Sequence, residues 1–201
     1  MTKKEEIINA TIDLFAEHGV EKVSAKMVAK KLNVTRSIIY YYFKKGKDEI
    51  IDNILKMFDG MITENVKIIM KHADSYIDAN SILSSLFITF SEEESERGRK
   101  INKIILTNYA YDEKIGKYLL EVFYKKREAR FAQVFNMLIE SGKVESFDTE
   151  TAARILNRLF IASALEDTFF YPFEHKELSP CLANLRKDCT VIVNQILSGS
   201  F

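Results

Sequence analysis

Apolar residues recur at intervals of three and four positions along most of the chain, which is the spacing of amphipathic helices. The first such stretch runs from about Lys3 to His18, and Gly19 follows it as a helix stop. Prolines and glycines are few, and no series of alternating apolar and polar residues bounded by turns indicates strands. The pattern therefore predicts an all-α protein.

Two short helices are predicted after the first, with a tight turn at Asn33 between them. Ser24 is expected to cap the earlier helix, and the later one spans about Val34 to Phe43. Asn tolerates a positive φ better than any side chain except Gly, so Asn33 suits the turn. Helices of about eight residues do not persist alone in water, so both should pack on the first. The expected core consists of Ile8, Leu14, Phe15, Val28, Leu32, Val34, Ile39 and Phe43, with Ile38 on the same face as Val34 and Ile39.

Residues 1–46 would then form a three-helix domain, and residues 47–201 a second helical domain. The acidic stretch Glu92 to Glu96 is expected to be an exposed link rather than a cation site. Helices are predicted from about Lys47 to Lys71, Ala79 to Ser91, Arg99 to Tyr109, Lys114 to Ser141, Asp148 to Tyr171, and from Ser179 onward.

The short helix after Asn33 has an outward face rich in hydrogen-bonding side chains, as expected for the second helix of a helix-turn-helix. Arg36 can form two hydrogen bonds with guanine or phosphate, and the hydroxyls of Thr35 and Ser37 can bond to base edges or phosphates. Tyr40 and Tyr41 can place their hydroxyls near phosphates. The alternatives are a solvated surface charge at Arg36 and an aromatic core plug from Tyr40 to Phe43.

Charge is distributed unevenly along the chain. Residues 1–47 hold nine Lys and one Arg against five Asp and Glu, a local net charge of +5, while the whole chain has a net charge of zero. The remainder must therefore carry −5. This polarity would draw the amino-terminal domain toward phosphates.

The segment from Ile7 to Phe43 resembles the amino-terminal domain of the TetR family of bacterial transcriptional regulators. Asn33 and Ser37 stand where the family commonly has Gly or another small residue, and one extra residue follows Phe43, so either Lys45 or Lys47 could be the phosphate-contacting lysine. The features that carry the resemblance are Leu14, Phe15, Ala16, Glu17 and Gly19, then Val28 and Ala29, then Val34 to Ser37, and finally Ile39 to Phe43.

The resemblance implies a homodimer with one helix-turn-helix per subunit, bound to a palindromic double-stranded DNA operator and usually acting as a repressor. A small-molecule effector of unknown identity would release it from the carboxy-terminal domain. An activator, or a regulator without an effector, is the alternative. The predicted DNA-binding residues are Ser24, Lys26, Thr35, Arg36, Ser37, Tyr40, Tyr41, Lys45 and Lys47.

One arginine interrupts an apolar stripe in the long predicted helix from Lys114 to Ser141. Arg127 shares a face with Leu119, Phe123, Phe131, Phe135 and Leu138, and a buried guanidinium needs a partner. It could receive an acidic ligand, with Phe123 and Phe131 in the same pocket. The alternatives are a salt bridge to a neighbouring carboxylate or an exit to solvent, and the aromatic residues could equally be a filled core.

Two apolar stripes near the end of the chain have the spacing of a helix-helix seam. Two such helices can pair with their copies in a four-helix dimer interface, although the stripes could instead face the core of their own subunit. The predicted interface residues are Leu156, Leu159, Ser163, Leu182, Leu185, Cys189, Ile192 and Ile196.

The sequence offers no sign of an enzyme: there is no paired nucleophile and base, no phosphate-binding glycine loop and no metal-ligand spacing among His18, His72 and His175. No metal and no cofactor is therefore expected. Cys181 and Cys189 would lie about 12 Å apart along one helix, too far apart for a disulfide. The absence of a signal-peptide core and of a long apolar run predicts a cytoplasmic protein without a membrane partner.

Overall fold

The computed structural model describes residues 1–71 and 92–170, together with Asn184, Lys187, Asp188, Val191 and Gln195. Within these ranges every residue lies in a helix, a turn or a loop, so the all-α prediction is confirmed. The chain divides into two compact units, Met1–Met61 with Ser91–Gly116 and Ile62–Phe90 with Lys117–Phe201. The predicted domain boundary after residue 46 falls inside the first unit and stays a prediction.

Three amino-terminal helices form as predicted: α1 (Lys3–His18), α2 (Ala25–Lys31) and α3 (Arg36–Tyr42). Thr2 caps α1 in a capping box with Glu5, and Gly19 ends it at a φ of 83°, donating its N–H to Phe15. The Ser24 hydroxyl accepts a hydrogen bond from the backbone N–H of Met27, so the predicted cap of α2 is confirmed.

The core of these helices overlaps the predicted one only in part. Six of the eight predicted residues are buried, whereas Leu32 and Val34 are half-buried and Ile38 is exposed. The six are Ile8, Leu14, Phe15, Val28, Ile39 and Phe43, and the structure also buries Ile7, Ala10, Ile12, Val20, Val23 and Ala29, which were not predicted. Ile38 was wrongly placed on the inward face. Neighbouring residues of a helix point about 100° apart, so the short α3 buries the line through Ile39 and Phe43 and turns Ile38 away from it.

Two further helices contribute to the first unit, α4 up to Met61 and the whole of α5. Helix α4 (Lys47–Lys71) has the predicted bounds and buries Ile50, Ile51 and Ile54 near its start. Helix α5 (Glu92–Asn108) packs against α1. The prediction that residues 92–96 form a loop was wrong, because they are the first turn and a half of α5. A first turn needs no apolar residue, and glutamates there interact favourably with the helix dipole.

The segment predicted as one helix from Lys114 to Ser141 is helical from residue 113 to residue 140 but is not uniform. It comprises α6 (Glu113–Tyr118), a π-helical segment (Leu119–Lys126) and α7 (Arg127–Glu140). Gly142 follows at a φ of 68°, as expected for a helix stop. Helix α8 (Thr149–Phe170) begins where Asp148 accepts a hydrogen bond from the N–H of Thr151, as predicted.

The second unit has its core between α7 and α8, which pack closely along their length. Phe131 contacts Phe160, and Phe135 contacts Phe147, with ring centroids about 5.5 Å apart in both pairs. The predicted helix from Ala79 to Ser91 lies outside the described residues. In the predicted last helix, the described residues Asn184, Lys187, Asp188, Val191 and Gln195 are helical and exposed.

Candidate functional site

The turn between α2 and α3 has the backbone conformation that its sequence predicts. Asn33 has a φ of 52° and is the one residue other than glycine with a positive φ among those described. The backbone N–H of Val34 then donates to the carbonyl of Ala29 at 2.9 Å, which closes the turn. Asn33 therefore fixes the direction in which α3 leaves α2.

Helix α3 is anchored through one side and presents the other to solvent. Ile39 and Phe43 are fully buried, and Lys4 places its ammonium group 5.5 Å from the centroid of the Phe43 ring. Arg36 and Ser37 are exposed on the opposite side. The core interpretation is thus confirmed for Phe43, and Arg36 stands where a duplex can reach it.

The two predicted tyrosines lie outside the core. Tyr41 is 74% exposed and Tyr40 is 44% exposed. Tyr40 also lies over the turn after α3: a Cβ on Gly46 would stand 3.3 Å from the Tyr40 ring, and Gly46 has a φ of 61°. Glycine at this position meets the backbone requirement and leaves room for the ring.

The hydroxyl groups flanking the helices are accessible. Thr35 is the residue before α3 and is exposed, and its side chain makes no capping hydrogen bond. Ser24 and Lys26 are exposed at the start of α2, although the Ser24 hydroxyl already accepts the capping bond. The structure thus leaves Thr35 and Lys26 able to contact phosphates.

Lys45 and Lys47, the two lysines predicted for a phosphate contact, differ in their surroundings. Lys47 is half-buried and donates from Nζ to the backbone carbonyl of Val20 at 3.1 Å. Lys45 has an exposed side chain, and its backbone N–H is held by the Glu49 carboxylate at 3.0 Å. The Lys45 side chain therefore faces solvent, whereas Lys47 forms a bond between α4 and the α1–α2 loop.

The helix-turn-helix has further exposed lysines that were not predicted from the sequence as DNA-binding residues. Lys30 in α2 and Lys44 after α3 are both exposed. Lys31 is different because its ammonium group pairs with Asp13 at 3.0 Å. The lysine-rich composition of residues 22–47 was the available signal, but it did not separate solvent-facing lysines from paired ones.

In the second unit, the arginine that interrupts the apolar stripe is held by a buried amide. Arg127 donates from Nε to Asn157 Oδ1 at 2.8 Å, and its guanidinium lies 4.5 Å from the centroid of the Phe123 ring. Phe123 and Phe131 are buried. The pKa of Arg127 is lowered to about 10, chiefly by burial and in smaller part by nearby Arg130, while Tyr118 and Tyr124 oppose the shift. The alternative of a salt bridge is not seen: the described partners of Arg127 are an amide and aromatic rings.

Sequence reasoning missed three residues near Arg127. Asn157 is fully buried, and its Nδ2 donates to the backbone carbonyl of Tyr124 at 3.3 Å. Arg130 donates to Thr63 Oγ1 at 2.7 Å. A polar Asn157 beside the apolar Leu156 and Phe160, and a second arginine one turn after Arg127, were the signals that could have identified them.

The predicted dimer-interface residues divide into two groups. Leu156 and Ser163 are buried within this chain, which agrees with the alternative that the α8 stripe faces its own core, while Leu159 is half-buried. The other predicted residues, namely Leu182, Leu185, Cys189, Ile192 and Ile196, lie outside the described residues. The dimer interface stays a prediction.

The described residues contain neither a candidate membrane span nor a candidate metal site. None of the helices there is both long enough and apolar enough to cross a bilayer. Likewise, no group of three or more His, Cys, Asp and Glu side chains in that part of the chain is placed to bind a metal ion.

Comparison with known proteins matches the amino-terminal part of the chain to a family and the whole fold to solved structures. Residues 7–54 match the model of bacterial regulatory proteins of the tetR family. The crystal structure of a protein from Mesorhizobium loti MAFF303099, described as a TetR-family transcriptional regulator, superimposes with a TM-score of 0.72. That match is 18% identical and covers 99% of this chain and 98% of the other, which establishes a shared fold.

Two curated proteins of Bacillus subtilis (strain 168) are also similar. The uncharacterized HTH-type transcriptional regulator YhgD is 24% identical over 169 residues, covering 80% of this chain and 81% of YhgD. The probable HTH-type transcriptional regulator YttP is 20% identical over 143 residues, covering 71% of this chain. The match to YttP spans 66% of that protein, slightly under two thirds of its length.

Proposed function

We propose that this chain, whose residues 7–54 match the model of bacterial regulatory proteins of the tetR family, is a dimeric, DNA-binding transcriptional repressor that binds a palindromic operator and is released by a small molecule. The observation that carries the proposal is the two-sided character of α3. Ile39 and Phe43 anchor the helix completely, while Arg36 and Tyr41 face solvent.

The exposed side of α3 supports direct contact with bases and phosphates. Arg36 stands in the first turn of the helix, the part of a recognition helix that reaches base edges. A guanidinium there can bond to O6 and N7 of a guanine. Tyr41 and Lys45 lie toward the other end of the helix and beyond it, and we assign them phosphate contacts that fix the orientation on the duplex.

The charge of residues 1–47 also supports DNA binding through this part of the chain. The local net charge of +5 in residues 1–47 includes cations that the structure leaves exposed, among them Lys26, Lys30 and Lys44. Binding that releases counterions from phosphates falls steeply as salt rises. We therefore assign the salt-dependent part of affinity to these lysines and the sequence preference to Arg36.

We propose a dimer because the proposed operator is two-fold symmetric. Two copies of one reading helix recognise an inverted repeat, and the half-site spacing then mirrors the distance between the helices. The buried positions of Leu156 and Ser163 shift our expectation for the interface to the exposed side of α8 and to the residues that follow it.

Release by an effector requires two linked sites. The effector must bind more tightly to the form of the protein that holds DNA poorly, and its differential affinity sets the largest shift it can cause. We assign the effector site to the second unit, around Arg127, Phe123 and Phe131. The polar groups buried among aromatic rings there support this assignment.

Selection of bound sequences from random duplex DNA tests the proposal. We expect an inverted repeat, and Arg36→Ala should lower affinity for it by about 1–3 kcal/mol or relax the preference at one position of each half-site. Lys125→Ala is the matched control, since Lys125 is exposed, pairs with Glu121 and lies outside the helix-turn-helix. It removes the same charge and should leave the selected sequence unchanged.

The other outcomes distinguish the alternatives. Binding without sequence preference would indicate an architectural DNA-binding module. An inverted repeat that is located upstream of promoters and raises transcription would indicate an activator. Failure to bind any duplex at low salt would exclude all three.

A further inference from the structure

A cluster of polar groups is enclosed in the second unit where α4, α7 and α8 supply neighbouring side chains. Arg127 bonds to Asn157, Asn157 bonds to the backbone of Tyr124, and Arg130 bonds to Thr63. Asn157 is fully buried, so its amide holds one edge of the Arg127 guanidinium in a fixed direction. The bond to Asn157 uses Nε and leaves the terminal nitrogens of the guanidinium for other partners.

One of these terminal nitrogens is an unused donor. Nη2 of Arg127 is shielded from solvent and has no hydrogen-bond partner among the described residues. A buried donor without an acceptor costs about 1–3 kcal/mol, and more when it is charged. A guanidinium with a pKa of about 10 remains a cation at neutral pH, so the cost is that of a buried charge.

The surroundings add positive charge and apolar surface. Arg130 lies one turn after Arg127 and lowers its pKa, and the described groups that raise this pKa are the tyrosines Tyr118 and Tyr124, not carboxylates. The rings of Phe123 and Phe160 lie 4.5 Å and 5.9 Å from the guanidinium carbon. Two neighbouring cations beside aromatic rings form an environment that an anion with an apolar body would complete.

The backbone before Arg127 is irregular in the same place. The π-helical segment Leu119–Lys126 ends at Arg127, and its Tyr124 carbonyl accepts the hydrogen bond from Asn157. Segments of π-helix are uncommon and occur frequently at functional sites. Here the irregular backbone and Asn157 stabilise each other, and together they set the direction of Arg127.

We propose that Arg127, supported by Asn157 and Arg130, binds the carboxylate of a small organic acid whose apolar part packs on Phe123 and Phe160. A planar guanidinium matches a planar carboxylate through two parallel hydrogen bonds, whereas a tetrahedral oxyanion without an apolar part leaves the rings unused. This inference rests on the proposed effector site and specifies the chemical class of the effector.

The test uses the full chain without DNA. Isothermal titration calorimetry and thermal unfolding would be measured with acetate, benzoate and octanoate, and with benzamide and octanamide as neutral analogues of the larger two acids. We expect benzoate or octanoate to bind and to raise the unfolding midpoint, and the matching amide to do neither. Inorganic phosphate is included as an anion without an apolar body.

Two arginine variants complete the design. Arg127→Met keeps an apolar stem and should weaken carboxylate binding about 10- to 100-fold, the loss expected for hydrogen bonds to a charged group. Without ligand, this variant should be at least as stable as the wild-type protein, because it removes a buried charge. Arg154→Met is the control, since Arg154 lies on α8 but bonds to Thr151, and it should retain carboxylate binding.

The proposal is overturned if no acid in the panel binds in an Arg127-dependent manner. It is also overturned if an amide binds as tightly as the matching carboxylate, or if phosphate binds as tightly as benzoate and octanoate. The DNA selection is a separate measurement. Loss of carboxylate binding with intact operator binding would remove this inference alone, and the reverse result would remove the proposed regulator function while leaving the anion site.

Discussion

Asn33 determines how the α2–α3 turn closes. Because its backbone is in the left-handed region, the effect of substituting it on the stability of the protein can be predicted. Asn33→Ala should destabilise the protein by about 1 kcal/mol, because a Cβ-bearing residue without a locally bonding side chain is disfavoured at a positive φ. Asn33→Gly should leave stability nearly unchanged, because Gly adopts this conformation readily. The measurement is the midpoint of urea unfolding, and equal midpoints for the two variants would contradict the assignment.

Lys45 and Lys47 differ in surroundings despite their proximity, and two substitutions separate their roles. Lys45→Ala should weaken DNA binding similarly for all sequences and reduce the dependence of log affinity on log salt by about 1. Lys47→Met should lower the free energy of unfolding by about 1 kcal/mol, because it removes the bond to the Val20 carbonyl. Anisotropy titrations at several salt concentrations and urea unfolding provide the two measurements.

The Lys45→Ala and Lys47→Met variants serve as controls for each other. If Lys47→Met changed the salt dependence while Lys45→Ala did not, the phosphate contact would belong to Lys47. The sequence left both lysines open because the extra residue after Phe43 shifts the register. Only the turn at Gly46 places Lys45 toward solvent and Lys47 toward Val20.

At the scale of elements, one aspartate joins three helices of the first unit. Asp13 on α1 accepts hydrogen bonds from Lys31 on α2 at 3.0 Å and from Lys100 on α5 at 2.8 Å, and Lys100 also pairs with Glu96. Burial alone would raise the pKa of Asp13, but the bonds from Lys100 and Lys31 outweigh burial and hold it below the ordinary 3.8. This network connects a helix of the helix-turn-helix to α5.

Because its folded-state pKa is depressed, Asp13 stabilises the fold above its ordinary pKa, and the contribution is lost as pH falls through the lower folded-state value. Asp13→Asn should therefore cost about 0.5 kcal/mol near neutral pH, and this cost should shrink toward zero as the pH falls below the folded-state pKa of Asp13. Urea unfolding across this range measures the difference. Glu21→Gln, at an exposed carboxylate in the α1–α2 loop, is the control; a difference for Asp13→Asn that did not shrink with acidification would contradict the network.

The helices differ in how far their sequences predicted them. The bounds of α1 and α4 and the caps at Ser24 and Asp148 follow from local features such as apolar spacing and a hydroxyl or carboxylate before a helix. The start of α5 could not be predicted from local features, because residues 92–96 carry no apolar pattern. The π-helical segment was also missed, since its stabilising partner Asn157 is about thirty residues away in the chain and contact at that separation leaves no local signal.

The candidate sites were also predicted only as far as local sequence features define them. The exposed residues of α3 were predicted because the helix-turn-helix is a local unit with its own sequence signature. In the second unit, sequence identified Arg127 as out of place but not its partner Asn157. It also missed the nearby Arg130 and Thr63, which bond to each other. These residues come from three helices. Periodicity also assigned Leu156 to a dimer interface, although a periodic stripe does not indicate whether it faces its own subunit or a copy; the structure buries Leu156 within the chain.

At the scale of the whole molecule, we expect the proposed regulator to be a dimer in solution. Sedimentation equilibrium at micromolar concentration should give twice the chain mass of 23.2 kDa. The expectation follows from symmetry, because one reading helix per subunit requires two subunits to recognise an inverted repeat. A mass equal to that of the single chain at this concentration would contradict the dimeric form.

Operator spacing provides a second measurement of the assembly, independent of its mass in solution. Inserting about five base pairs between the half-sites moves one of them by roughly 17 Å and by half a turn of the duplex. A dimer with a fixed distance between its two α3 helices can then engage only one half-site, so its affinity should fall to that of a duplex in which the other half-site is scrambled. Two independent monomers would each keep their own half-site, and the insertion would not change their affinity. The comparison therefore separates a symmetric dimer from two copies that bind side by side, even if the protein dimerises only on DNA.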